Sequence, residues 1–271
     1  MTTWHLLHTP SSTGAWNMAA DEAILESIHR GESKPTLRLY SWNPPCLSLG
    51  HAQPFKDVDV ERLHAQGWDV VRRLTGGRAI LHTNELTYSV TGPADDPILA
   101  GGVLESYNRL ARALLHSVQS LNLPVEIKAR EDGHDGQNPN PVCFEVPSSY
   151  EITVNGRKLI GSAQARKKEG VLQHGSLPLT GDLTRICDAL VFETESARQA
   201  AKDRLLARAT TIESVLSMET SWENAAQAFV RGFEAELGIR FEIGEMSPSE
   251  IQRAEELVKE KYAHPSWTKR I

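Results

Sequence analysis

The dipeptide Asn155-Gly156 constrains the fold of this chain more than any other feature. It separates two runs with strand character, Tyr150–Val154 and residues 157–162. A tight hairpin turn needs positive φ at its central positions. Asn tolerates this and Gly adopts it freely, and the resulting twist matches that of paired antiparallel strands. The dipeptide therefore dictates a hairpin, and the turn fixes its register. That register carries Lys158 back beside the strand that follows Cys143.

The remaining periodicities alternate helices with strands. Residues 17–28 place Ala20, Ile24 and Ile28 on one helical face. Residues 102–121 carry Leu104, Tyr107, Leu110, Ala111, Leu114, Val118 and Leu121 at helical spacing, which gives one apolar stripe. Residues 36–42, 46–50, 69–73, 78–82, 86–90, 172–178 and 240–243 read as strands, and Thr75-Gly76-Gly77 joins two of them tightly. Residues 195–209, Trp222–Leu237 and 247–262 are helical. The last opens on Ser247-Pro248-Ser249-Glu250, a capping-box spacing with proline at the first helical position. The expected class is α+β, with a mixed or antiparallel sheet and a helical C-terminal part.

Several function classes are disfavoured. No apolar run approaches the ~20 residues that span a bilayer, and the first residues have neither the basic region nor the apolar core of a signal peptide. Cys46, Cys143 and Cys187 form no C-x-x-C pair, which argues against a disulfide framework or a zinc site and fits a reducing cytoplasm. Neither G-x-G-x-x-G nor G-x-x-x-x-G-K-[ST] is present, so neither a Rossmann nor a P-loop nucleotide site is indicated; no cofactor and no metal are expected. A net charge of −6 disfavours general nucleic-acid binding. Arg72-Arg73 with Arg78, and Arg166-Lys167-Lys168, are the candidate basic patches, each against the plain alternative of a solvated surface.

Two segments carry chemistry. Cys143 follows a Gly-, Asn- and Pro-rich stretch, residues 131–141, and the hairpin returns Lys158 towards it. A free thiol titrates near 8.5, and a nearby cation favours the nucleophilic thiolate. The competing reading is a small buried hydrophobe, which is the expectation for Cys46 and Cys187. The second segment runs from Arg72 to His82. Gly76 and Gly77 let backbone approach a ligand, and Arg73 and Arg78 flank them. Its plain alternative is a Gly-Gly hairpin with exposed arginines. The small run Gly161-Ser162-Ala163 after Lys158 permits close approach, and His174 offers a further donor or a satisfied core histidine.

Together these segments resemble the biotin/lipoate protein ligase superfamily. Residues 72–82 resemble its RRxTGG…H lipoyl-binding stretch, and residues 158–163 its lysine-bearing strand. Residues 17–23 resemble its first helix and residues 210–216 its later pattern. Arg78 after Gly76-Gly77, the run Glu85-Leu86-Thr87-Tyr88-Ser89-Val90, and Cys143 with Gly156-Arg157-Lys158 are most similar to the cysteine-dependent octanoyl-[acyl carrier protein]:protein N-octanoyltransferases. Thr83-Asn84 departs from relatives that carry Asp or His there.

The resemblance implies a mixed, largely antiparallel sheet flanked by helices, with a catalytic domain over 1–220 and a helical part over 221–271 packed on it. It implies Cys143 and Lys158 as catalytic residues. Arg73, Gly76, Gly77, Arg78, His82, Gly161, Ser162, Ala163 and His174 would bind substrate. The implied donor is octanoyl-acyl carrier protein, with Arg166-Lys167-Lys168 as a docking candidate for that acidic partner. The implied acceptor is a lysine of glycine-cleavage H protein or of lipoyl domains. Ala79, Leu81, Leu86 and Ile160 are candidates for an acyl tunnel, with core packing as their default role. Lys158, His82 or the departing thiolate would take the acceptor's proton. The rival readings are an ATP-dependent lipoate ligase, an octanoyl amidotransferase acting from H protein, and a non-enzymatic acyl-binding regulator.

Overall fold

The structure is a computed structural model that describes residues 2–129 and 150–271. Cys143 and the 131–141 stretch lie outside the described residues. In chain order the elements are β1 (Thr2–His8), α1 (Gly14–His29), β2 (Thr36–Tyr40), β3 (Cys46–Leu49), α2 (Val60–Ala65), β4 (Asp69–Arg72), β5 (Ile80–His82) and β6 (Glu85–Gly92). There follow α3 (Val103–Gln119), β7 (Val125–Ala129), β8 (Tyr150–Val154), β9 (Arg157–Lys167) and β10 (Gly170–Pro178). The last are α4 (Glu195–Arg208), α5 (Ile212–Leu216), α6 (Trp222–Leu237), β11 (Ile239–Gly244), α7 (Pro248–Leu257) and α8 (Pro265–Thr268).

Two sheets organise them. The larger runs β11-β1-β2-β6-β10-β9-β8-β7, and the smaller β4-β3-β5. In the larger sheet β1 is parallel to β11 and to β2, and the remaining pairings are antiparallel. The class is therefore α+β with a mixed, largely antiparallel sheet flanked by helices.

The hairpin forms where the Asn-Gly dipeptide requires it. Asn155 and Gly156 take φ of 51° and 77°, and Val154 faces Arg157 across the turn. One feature was not readable from the dipeptide. Thr153 pairs with Lys158 but Ile152 pairs with Ile160, so Leu159 is an extra residue in β9. Such a bulge breaks strict alternation and re-aims the neighbouring side chains.

The helical stripe of α3 is buried at Leu110, Ala111, Leu114 and Val118, whereas Leu104 at its start is exposed. Phe229 and Phe233 of α6 stack beside it and meet Tyr88 of β6, so α3 and α6 cover one face of the large sheet. On the opposite side α1 packs on β6 and β10, and α7 packs on α1. The Ser247 capping box forms as its spacing requires, with Glu250 Oε2 accepting from the Ser247 N–H at 2.8 Å. The helical register ends at Leu257 and continues as a wider π turn, Val258–Tyr262.

The small sheet corrects one expectation. β4 and β5 do not form a Gly-Gly hairpin with each other. Both pair with β3, β4 in parallel and β5 antiparallel, so Thr75-Gly76-Gly77 crosses over the end of β3. The reason lies in β3, whose residues Cys46 to Leu49 are all buried and need partners on both edges. No helix among the described residues is long and apolar enough to cross a membrane.

Candidate active site

A cavity of about 340 Å³ lies between the two sheets. Met18, Tyr40, Trp42, Ile80 and Thr87 form much of its wall, and Gly161, Ser162, Ala163, Gly175, Arg73, His82 and His174 complete it. Residues predicted from distant parts of the sequence thus meet at one place.

The small sheet supplies a buried polar row. Ser48 of β3 faces Ile80 and Cys46 faces His82 across the β3–β5 pairing. His82 Nδ1 lies 2.5 Å from Glu85 Oε1, and Ser48 Oγ lies 2.6 Å from His82 Nε2. The ring stacks on Trp42 at 3.9 Å, nearly parallel at 9°. Trp42 in turn donates to Thr87, which donates to Glu85. Burial by itself pushes the Glu85 carboxyl up, but His82 and the hydrogen bonds around it hold it below the ordinary value. An ionised carboxylate only accepts, so His82 Nδ1 carries the proton of that bond. Both ring nitrogens are therefore engaged with protein groups, and His82 acts as a fixed wall.

Arg73 ends this row. Its Nη1 donates to the Ser48 carbonyl and hydroxyl at 2.6 Å, and its Nη2 to the carbonyls of Gly76 and Arg78 at 3.1 and 2.9 Å. The guanidinium thus holds the Gly76-Gly77 turn in place, with Gly76 and Gly77 themselves exposed and Arg78 half-buried. Gly77, at φ 89°, sits close enough to Ala163 that a Cβ on it would be 3.9 Å from the Ala163 methyl. Arg72 is also buried. It donates to the carbonyls of Gly50, Gln53 and Thr268 at 2.9, 2.6 and 2.8 Å. The expected Arg72-Arg73 surface patch is therefore absent, because both groups serve backbone carbonyls.

A second buried network underlies the other wall. Asp21 of α1 pairs with Arg38 at 2.8 Å and accepts from Tyr40 and Ser89 at 3.1 and 2.7 Å. Its carboxyl is pushed up by burial, but Arg38, His174 and Ser89 outweigh this and keep it below the ordinary range. His174 Nδ1 lies 3.7 Å from Asp21, and its Nε2 lies 2.6 Å from the Thr75 hydroxyl. Burial holds His174 below its usual value, so it is neutral near pH 7 and accepts from Thr75. The helix α1 is thereby linked to the Gly-Gly turn.

Residues 13–234 match the lipoyl protein ligase A/B catalytic domain. The chain belongs to that family. Within the lipoyl protein ligase A/B family it is 42% identical to octanoyltransferase LipM of Moorella thermoacetica, over 99% of this chain and 98% of the relative. It is 40% identical to octanoyltransferase LipM of Kyrpidia tusciae over the whole of both. It is 35% identical to octanoyltransferase LipM of Staphylococcus aureus over 98% of each. Among solved structures, a bipartite lipoate protein ligase from Thermoplasma acidophilum superposes with a TM-score of 0.82 at 24% identity, covering 99% of this chain and 97% of that one. A lipoate-protein ligase A bound with ATP gives 0.78 at 24% identity, covering 99% of both chains. These two likenesses concern the fold alone.

Lys158, the lysine of the family-like strand, is buried on β9, with its Nζ 3.0 Å from Glu151 of β8 and its carbonyl accepting from Thr210 N–H at 3.0 Å. The cavity lining reaches Gly161–Ala163 on the same strand but does not include Lys158. The segment 210–216 therefore abuts the lysine strand, capped by Thr211 accepting from Ser214 N–H at 3.1 Å. Of the tunnel candidates, Ala79, Leu86 and Ile160 are core residues, and Leu81 lines a separate cavity. Cys46 and Cys187 are fully buried, as packing cysteines should be. Arg166 points inward and donates to the Leu99 carbonyl at 2.9 Å, which leaves Lys167 and Lys168 as the exposed cations of that run. Sequence reasoning missed Asp21, Arg38, Tyr40, Trp42 and Ser48. The His-x-x-Glu spacing of His82 and Glu85 is a local signal that could have pointed to part of this network.

Proposed function

We propose that this chain is an octanoyltransferase that moves an octanoyl group from octanoyl-acyl carrier protein, through a thioester on Cys143, to a lysine of H protein or of lipoyl domains. Similarity to octanoyltransferases along the whole chain carries the reading. The mostly apolar cavity bounded by Gly161–Ala163, with the Gly76-Gly77 turn beside it, supports it as a place for a short acyl chain. In the first half-reaction the Cys143 thiolate attacks the carbonyl carbon, and the carbon–sulfur bond to the carrier breaks. The carrier leaves as a thiolate and takes up a proton. In the second, the acceptor amine attacks, the amide forms and the Cys143 thiolate departs. Exchange between thioesters is near balance, whereas amide formation is downhill and drives the sequence.

Lys158 is the group we assign to stabilising the thiolate and the carbonyl oxygen. The acceptor lysine must lose a proton from a pKa of about 10.4. With both nitrogens of His82 engaged and Lys158 held as a cation beside Glu151, the departing thiolate is the better acceptor for it.

Intact-protein mass spectrometry after mixing with octanoyl-acyl carrier protein, without ATP, tests this. Wild type should gain a hydroxylamine-labile octanoyl adduct that apo H protein discharges, and Cys143→Ala should gain none. ATP-dependent modification of the acceptor by free octanoate in both proteins would instead make the chain a ligase.

A further inference from the structure

Ile80 lines two cavities. One is the cavity between the sheets; the other is bounded by Leu81, Thr83, Asp182, Leu183, Ile186 and Leu205 as well as Ile80. β5 lies at the edge of the small sheet, so among the described residues no further strand of that sheet stands beyond it. Leu81 pairs with Leu47 and Ile80 with Ser48, so successive β5 side chains face opposite sides. Ile80 shares the His82 side, yet it also belongs with Ile186 and Leu205 to the apolar cluster against which Leu81 packs. At this point two apolar spaces approach each other with an aliphatic side chain between them.

We propose that Ile80 is the stop that sets acyl length, and that the second cavity is the space into which a longer alkyl chain passes when Ile80 is shortened. This rests on the octanoyl-transfer reading. A straight alkyl chain is the occupant that fits, because the walls of the second cavity are largely aliphatic and an alkyl chain needs no polar partner there. Each further methylene buried gains about fourfold in binding. A chain four methylenes longer than octanoyl therefore has ample drive to enter once the stop is removed.

The test measures transfer from octanoyl- and dodecanoyl-acyl carrier protein to apo H protein within one preparation of each variant. The ratio of the two rates is insensitive to the fraction of folded enzyme. Ile80→Ala should raise the dodecanoyl-to-octanoyl ratio at least about tenfold over wild type, and Ile80→Val should raise it less. Leu205→Phe, which fills the second cavity, should leave wild-type octanoyl transfer unchanged and cancel the gain in Ile80→Ala. An unchanged ratio in both Ile80 variants, or a gain that survives Leu205→Phe, overturns the inference while leaving octanoyl transfer standing. Wild type that transfers neither acyl group overturns the transferase reading and the inference with it.

Discussion

At the scale of single residues, the Asp21–Arg38 pair carries the greatest electrostatic stake. Both side chains are essentially inaccessible, at 1% and 0% exposure. Arg38 also donates to the Asn17 carbonyl and side-chain oxygen at 3.2 and 2.7 Å and lies over the Tyr40 ring. Removing one partner of a buried pair leaves the other charge uncompensated, at a cost of about 3–5 kcal/mol. Arg38→Met should show such a loss in chemical denaturation at pH 7. The pH dependence follows from the directions of the shifts. Asp21 is held below its ordinary value, so its contribution is full above about pH 5 and is lost as pH falls through the depressed folded value. His174 is also held below its ordinary value, so wild type begins to lose stability earlier, as pH falls through about 6.5. Without Arg38, burial is left as the largest influence on Asp21 and raises it. The difference between wild type and Arg38→Met should therefore begin to shrink above about pH 4, where the raised carboxyl protonates in the variant, and go on shrinking as pH falls further. A difference that stays constant from pH 7 to pH 3 would show that the Asp21 charge contributes nothing to it.

At the scale of elements, the turn at the end of β3 decides the shape of the site. Gly50 follows that strand, and a Cβ there would stand 1.9 Å from the Gly77 carbonyl oxygen, an atom of the backbone that cannot swing aside. The His51 N–H also donates to the Thr75 carbonyl at 2.8 Å, so the two loops form one block. Gly50→Ala should push the Gly76-Gly77 turn out of place, costing about 1–3 kcal/mol of stability and at least tenfold in transfer rate, a factor worth about 1.4 kcal/mol. Native-like activity in a soluble Gly50→Ala protein would show that the turn does not frame the reaction. The same elements show what could be read from the chain. Asn155-Gly156, the α3 stripe and the Ser247 capping box act within a few residues, so local sequence states them in full. The position of β3 between β4 and β5 depends on which distant strand satisfies its buried backbone groups, and no local period records that. β1 was not anticipated at all, although Trp4 and Leu6 alternate inward along it. Arg73, Gly77, His82 and His174 were legible as candidates because glycine, arginine and histidine advertise their chemistry. Ser48 and Tyr40 were not, since an ordinary strand residue becomes part of a site only through its cross-strand neighbours.

At the scale of the whole molecule, the end of the described chain returns to brace the site from outside. Arg72 donates to the Thr268 carbonyl on one side and to the Gly50 and Gln53 carbonyls on the other. Trp267 Nε1 donates back to the Arg72 carbonyl at 3.0 Å, and the Ile271 carbonyl accepts from the Phe55 N–H at 2.7 Å. Further along, α7 and the turn after it hold α1 through Arg253–Glu26 and Lys261–Glu22 at 2.8 and 2.7 Å. These pairs are half-buried and water still reaches them, so the strength of the brace lies in Arg72, whose guanidinium is wholly buried. Lysine at this position offers three donors on a flexible stem and cannot reproduce the fork. Some of the carbonyls now served would be left buried and unmet, each at about 1–3 kcal/mol. Arg72→Lys should therefore lower the melting temperature by roughly 5–10 °C, at about 2–4 °C per kcal/mol for a chain of this size. Trp267→Phe, which removes one hydrogen bond and keeps most of the ring, should lower it less. Because the 50–55 loop carries Gly50 against the Gly-Gly turn, Arg72→Lys should also slow octanoyl transfer at temperatures where the variant remains folded. A variant that melts early but transfers at the wild-type rate below its transition would confine the brace to stability and detach it from the site.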